Sequence, residues 1–248
     1  VSLTDDRFPA HPADDAIAAM QRFVVVSLQR TGSTWLVEML DSHPQIGCHD
    51  ELLRRMVPPE LPVVALLDPR YRDLDYRFDH WRAYVDDALA VTGKPIAGFK
   101  LMAAQHDEAL AEILADPAWR VVTLDRPNVL AAWSSHLIVK ATGQSILREG
   151  EAALAHRPRF ESEAFAQFCR MRAKRWTRVQ ELLKGREHLA LTYPELRQAE
   201  TWPRLLAFLG ADPAVPLSTD MRKRNDDDIF ERFANPEEID APEAWRRE

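Results

Sequence analysis

The stretch "VVVSLQRTGSTWLVEML", residues 24–40, constrains the fold of this chain more than any other. The run "RFVVVSL" (22–28) is short, apolar and rich in β-branched residues, so it reads as a buried strand. From Ser33 or Thr34 the residues Trp35, Leu36, Met39 and Leu40 recur at helical spacing to about Ser42, where His43-Pro44 stops the helix. Between strand and helix lies a polar turn holding Arg30, Thr31, Gly32 and two small hydroxyl residues. Such a turn aims several backbone N–H groups and the positive helix end at one spot, which suits a phosphate-like anion. Gly32 permits close backbone approach, Ser33 and Thr34 add hydroxyl donors, and Arg30 adds a forked cation. The same residues also fit an ordinary turn whose Ser or Thr caps the helix.

The rest of the chain repeats the strand–helix theme. "PIAGFKLM" (95–102), "WRVVTLDR" (119–126) and "EHLALTY" (187–193) read as strands, with a further short strand expected after the first helix. Helices are predicted over 75–93, closed by Gly93, and over 106–117, from Pro127 through "NVLAAWSSHLIVKATG", over 160–184 and over 200–210. The proline-rich stretch 58–70 reads as a loop over one face. The expectation is one α/β domain over residues 1–248, three layers with a central, mainly parallel sheet flanked by helices. Residues 1–20 form a peripheral arm in this reading and 211–248 a loop-like tail.

A formal charge of −7 argues against a general nucleic-acid or anionic-membrane binder, so an anionic ligand must meet a local basic cluster. The two cysteines, Cys48 and Cys169, are too few for a disulfide framework or a Cys-rich metal site and read as reduced, half-buried thiols. No apolar run is long enough to span a bilayer, and the printed sequence opens on no signal-peptide pattern. A lean toward Ala, Arg and Asp suits a GC-rich bacterial genome, and the location expected is cytoplasmic.

A nucleotide kinase would carry G-x-x-x-x-G-K-[ST], with Lys on the β/γ-phosphates and the hydroxyl on Mg²⁺. Here the position five before Gly32 is Ser27, and Ser33 stands where the lysine belongs. The turn is wrong for that loop and still right for an anion.

"QRTGSTWL" resembles instead the 5′-phosphosulfate loop of sulfotransferases, typically K/R-[ST]-G-[ST]-[ST]. These enzymes take sulfuryl from 3′-phosphoadenosine 5′-phosphosulfate (PAPS), leaving PAP, on a P-loop-like fold without a metal. The resemblance implies that Arg30 is the loop's basic residue, that Thr31 and Gly32 belong to the loop, and that Ser33 and Thr34 donate to the 5′-phosphate. Trp35 would lie against or beneath the adenine. A second segment, "LDRPNVLAAWSSH", ends a strand on Arg126 and places Ser134 eight residues on. In the family an Arg and a Ser at this spacing contact the 3′-phosphate. "LTYPEL" resembles the family's late strand ending in a Tyr near the adenine, here Tyr193. "MRKRND" resembles its closing basic loop without the usual Gly, with Arg222, Lys223 and Arg224 as candidates. "GFK", "TGQ" and "RFANPEEI" are similar to bacterial carbohydrate sulfotransferases of the Nod-factor and trehalose types.

Sulfuryl transfer to a hydroxyl needs in-line geometry, cations on the developing charge, and a base for the acceptor proton. Arg30 and Lys100 are the expected cations, Lys100 because it ends a strand. Glu51 in "CHDELL" is the expected base, since related bacterial and heparan-type enzymes use a Glu in this region. The animal cytosolic enzymes use a His two residues after the matching lysine, where this chain has Met102, so His106 and His49 stand in reserve. The acceptor expected is a carbohydrate or glycolipid, the latter placing the enzyme peripherally at a membrane, with 52–92 and 141–165 shaping its pocket. The competing readings are a metal-dependent P-loop kinase and a nucleotide-binding module without catalysis.

Overall fold

A computed structural model describes residues 20–55, 62–222, 225 and 228–247. The expected arm lies outside them except for Met20, as do Lys223 and Arg224 of the basic run.

Five strands form one all-parallel sheet: β1 (Gln21–Ser27), β2 (Ile46–His49), β3 (Ile96–Met102), β4 (Trp119–Asp125) and β5 (Leu189–Thr192), in the order β2-β3-β1-β4-β5. β1 is central because Val24, Val25 and Val26 are buried on both faces. Its register runs Val25 against Lys100 on one side and Val122 on the other. Alternation then divides the core. Val24 and Val26 face one layer of helices, and Phe23 and Val25 face the other.

Among the described residues there are eight α-helices. On the Phe23 face lie α1 (Ser33–Asp41), which buries Leu36 and Leu40, and α8 (Thr201–Leu209), which buries Leu205 and Leu206. The opposite layer comprises α2 (Pro62–Leu66), α3 (Leu74–Asp79), α4 (Trp81–Ala90), α5 (Asp107–Ala115) and the C-terminal half of α7 (Ser162–Leu182). A third cluster joins α6 (Val129–Thr142) and the start of α7 to Ile229, Phe230 and Phe233. That cluster anchors the C-terminal segment, whose 3₁₀ turns replace the loop expected there.

Two further expectations need correction. The helix predicted over 75–93 is two helices, α3 and α4, because His80 leaves helical geometry at φ −112° and ψ 31°. Its ring stacks on Tyr76, 4.0 Å between centroids, and its Nδ1 lies 2.8 Å from the Tyr76 carbonyl oxygen. The amphipathic pattern runs on across the break, so periodicity does not reveal it. The proline-rich stretch contains helix α2 as well, since a proline at the first helical position sacrifices no intrahelical bond, and Val63 and Val64 pack into the core. Cys48 and Cys169 are free thiols, and Cys48 is buried, with its pKa driven well up by desolvation and then by Asp41.

Candidate active site

β1 lies between β3 and β4 at the point where the strand order reverses, so the turn after β1 opens into the crevice at the carboxyl ends of the strands. Two residues of that turn carry positive φ: Arg30 at 62° and Gly32 at 84°. Gly32 is the N-cap of α1 and no side chain closes that end, so the capping alternative to an anion site is not the one taken. A Cβ on Gly32 would meet Cδ2 of Tyr193 at 2.5 Å, so only glycine allows this approach. Thr31 is wholly buried, and its hydroxyl donates to the Leu28 carbonyl at 2.9 Å, closing the turn from within.

A left-handed arginine is costly unless its surroundings fix it. Arg30 Nε donates to Ser135 Oγ at 3.0 Å, and its Nη2 donates to the Ser145 carbonyl at 3.3 Å. Arg126, just past β4, donates from Nη1 to the Arg30 carbonyl at 3.1 Å and lies 4.3 Å above the Tyr193 ring. Tyr193 is held in turn by its backbone N–H, which donates to the Asp125 carbonyl at 2.8 Å. Beneath both turns lies Arg172 of α7. It donates to the carbonyls of Gln29 (3.3 Å) and Arg126 (3.4 Å) and pairs with Asp125 at 2.6 Å.

These groups enclose a cavity of about 270 Å³. Of the residues singled out in the sequence, Arg30, Gly32, Ser33, Thr34, Trp35, Arg126, Tyr193 and Arg222 line it. Ser135, Arg197, Asn225 and Arg232 line it too, and sequence reasoning missed them. Ser134 is fully buried behind the wall, where its hydroxyl donates to the Ala131 carbonyl and accepts from Arg232 Nη1 at 3.3 Å. Five of the described lining residues are arginines and none is a carboxylate. Trp35 packs edge-on against Trp202, 5.7 Å between centroids. Residues 145–147, expected near the acceptor, also belong to this cavity.

Next to Thr34 stands a second cluster. Lys100, the fifth residue of β3 and almost fully buried, donates from Nζ to Thr34 Oγ1 at 3.1 Å. The same ammonium pairs with Asp50 and with Glu51 Oε1, the latter at 3.1 Å. Glu51 Oε2 accepts from Gln105 Nε2, and Gln105 Oε1 accepts from the Met102 N–H at 3.0 Å, which fixes which way that amide points. Glu51, Lys100 and the loop hydroxyl are therefore brought together. Asp50 and Gln105 belong to the group and were not foreseen, although Asp50 is the neighbour of Glu51 in sequence.

The reserve histidines are occupied elsewhere. His106 caps α5 by accepting from the Ala109 N–H at 3.2 Å, and its ring stacks on Phe78 at 5.0 Å between centroids. His49 lies 2.7 Å from the Ala88 carbonyl, and burial pulls its pKa below the usual value. Among the described residues no group of His, Cys, Asp and Glu could hold a metal ion. None of the described helices is long and apolar enough to cross a membrane.

Among solved structures, a sulfotransferase from Alicyclobacillus acidocaldarius aligns at 17% identity with a TM-score of 0.49, covering 92% of this chain and 99% of that one. A mouse sulfotransferase complexed with PAP aligns at 12% identity with a TM-score of 0.41, covering 96% of this chain and 75% of the other. The chain has no significant match among curated proteins. The family model described as "Sulfotransferase family" matches residues 22–200, from the start of β1 to the end of the turn before α8, a span that holds the loop, Lys100, Arg126 and Tyr193. On that match, over more than half its length, the chain belongs to the sulfotransferase family.

Proposed function

We propose that the enzyme moves the sulfuryl group of PAPS to a hydroxyl of a carbohydrate or glycolipid acceptor. The observation that carries the donor assignment is the cavity at the β1 turn, with five arginines and no carboxylate in its described wall, in a protein whose net charge is −7. Arginine cannot lose its proton and offers planar pairs of donors, which suits phosphate and sulfate oxygens. In this reading Arg30, Gly32, Ser33 and Thr34 hold the 5′ end of the donor, and Arg126 with Arg232 meets the 3′-phosphate, Ser134 acting from behind the wall by holding Arg232. Arg222 closes the cavity, and the ring of Tyr193 or Trp35 faces the adenine. The run Arg222–Arg224 remains the proposed basic loop, with Lys223 and Arg224 outside the described residues.

The reaction forms a bond from the acceptor oxygen to sulfur as the bond from sulfur to the bridging oxygen breaks. Negative charge gathers on that bridging oxygen, and Arg30 and Lys100 are the cations assigned to it. The acceptor proton goes to Glu51, a carboxylate held at both oxygens, by Lys100 and by Gln105. No step calls for a metal.

Thermal melting with ligands tests the donor reading. PAP without Mg²⁺ should raise Tm, and ATP with Mg²⁺ should not. Stabilisation by ATP–Mg²⁺ alone would favour the kinase reading, and PAP binding without turnover on any hydroxyl acceptor would leave a nucleotide-binding module.

A further inference from the structure

In-line transfer places the acceptor oxygen on the side of the sulfur opposite the leaving oxygen, so the acceptor must approach from beyond the donor cavity. One continuous path of contacts leads that way. Thr34, in the cavity wall, accepts from Lys100, Lys100 pairs with Glu51, and Glu51 accepts from Gln105. Gln105 lines a second, larger opening of about 1220 Å³ between α7, the start of α5 and the end of α3. Met171 and Arg175 of α7 wall this cleft and also a small hollow that reaches Leu28 and Gln29, the residues just before Arg30. The cleft thus borders the β1 turn on one side and the carboxylate cluster on another.

Its lining differs from that of the donor cavity. Four cations, including Lys174 and Arg175, stand against four carboxylates, including Asp79 and Glu181. That balance disfavours an acidic acceptor, which would meet as many carboxylates as cations. Among the described residues of the wall, the large apolar side chains are Phe78 and Met171, and Phe78 is buried under Arg55 and against His106. Two such side chains among the described residues, one of them buried, are few for a phenol or a sterol, whose sites are lined mainly by hydrophobic and aromatic groups. Each hydroxyl of a sugar both donates and accepts, and interleaved guanidinium, amide and carboxylate groups satisfy both. Neither Lys174 nor Arg175 has an ion-pair partner among the described residues.

We infer that this cleft is the acceptor site and that it takes a neutral, polyhydroxylated carbohydrate, with Gln105 at its inner edge holding one oxygen of Glu51 beside the reacting hydroxyl. The inference rests on the donor reading above and adds a place and a charge class for the acceptor. It also moves one wall of the acceptor pocket from residues 141–165 to α7.

The test uses the full chain saturated with PAP, on an array of neutral, uronic-acid-containing and sulfated oligosaccharides with phenols alongside, and the variants Lys174→Glu and Arg175→Glu. Lys174 is exposed and Arg175 half-buried on α7, and the PAP-induced rise in Tm of each variant serves as the control for folding and donor binding. Retention of a neutral oligosaccharide by wild type, weakened at least tenfold in both variants with the PAP shift intact, is the expected result. Equal retention by the variants, a preference for acidic glycans or phenols, or no retention at all while PAP still binds would overturn the acceptor cleft and leave the donor reading standing. Failure of PAP to shift the wild type would refute the donor reading, and the cleft assignment with it.

Discussion

Gly32→Ala should break the site through one identifiable contact. The new Cβ would lie 2.5 Å from Cδ2 and 2.7 Å from Cε2 of Tyr193, where ordinary contact begins at 3.4 Å, so the ring must retreat by about 0.9 Å. The room open to it is the donor cavity whose wall it forms. Its backbone is tied to Asp125, and the Arg126 guanidinium lies 4.3 Å from the ring. Overpacking of this kind costs about 1–3 kcal/mol. Holding alanine at φ 84° adds about 1 kcal/mol, giving a loss of roughly 2–4 kcal/mol in urea unfolding with an unchanged slope. A double-mutant cycle separates the two parts. In a Tyr193→Ala background the clash disappears and only the backbone cost of about 1 kcal/mol remains, so the coupling should be about 1–3 kcal/mol. PAP affinity should fall in both single variants, because one displaces the ring beside Arg126 and the other deletes it. If Gly32→Ala costs the same in both backgrounds to within about 0.5 kcal/mol, the ring is not what demands glycine and the reasoning fails.

Arg126→Ala should remove most of the preference for PAP over AMP measured by calorimetry, because a lost charge-assisted contact is worth about 1.5–3 kcal/mol and AMP has no 3′-phosphate to lose it from. An equal loss for both ligands would mean the variant had damaged the turn instead, since Arg126 also holds the Arg30 carbonyl. Glu51→Gln should leave PAP affinity intact and lower kcat by about 10²–10⁴-fold, and normal turnover would take the base elsewhere. Arg77 is fully buried, no carboxylate pairs with it among the described residues, and its guanidinium lies 5.3 Å from the ring of Tyr84, the polar side chain that faces it. Arg77→Met should therefore be neutral or stabilising by about 1 kcal/mol in urea unfolding, and a loss of about 3 kcal/mol would reveal a paired charge. His49 has a folded pKa below 6.5, so the unfolded chain binds more protons as pH falls through 6.5 and stability drops there, recovering as pH rises. His49→Gln should flatten that slope in melting curves between pH 5 and 7, and an unchanged slope would show that His49 is not its source.

The strands and most helices were legible because their signals are local. Three consecutive valines in β1, an apolar stripe in α1 and a glycine after α8 can each be read within one short window. The turn after β1 was legible for the same reason, and Arg126 and Tyr193 line the same cavity as that turn. Other parts depend on distance or on rotation. Arg172 reaches the site from the middle of α7 with nothing adjacent in sequence to mark it, whereas Arg197 follows "LTYPEL" and Arg232 opens "RFANPEEI", motifs whose neighbouring arginines were passed over. Ser134 and Ser135 differ by one step of about 100° around α6, which turns one toward Arg232 behind the wall and the other toward Arg30 in the cavity. Spacing from Arg126 identifies the helix segment and cannot choose between two adjacent serines.

The same limit applies at the carboxylates, where sequence offers Asp50 and Glu51 side by side and only packing distinguishes them. Both reach the Lys100 ammonium, and a buried ammonium needs such partners. Their surroundings are unequal. The Asp50 side chain is 49% exposed, against 21% for Glu51, so water screens its pairing with the lysine more strongly. Glu51 is also gripped on its second oxygen by an amide whose own orientation is fixed by the Met102 N–H. A base must keep its position while the reacting hydroxyl arrives, and rigidity of this kind is what separates a catalytic carboxylate from a charge-balancing one. Lys100 then links the two halves of the site, with one contact to the loop hydroxyl of Thr34 and another to the carboxylate proposed to take the proton. This division of labour favours Glu51 as the base and leaves Asp50 to offset the charge of Lys100.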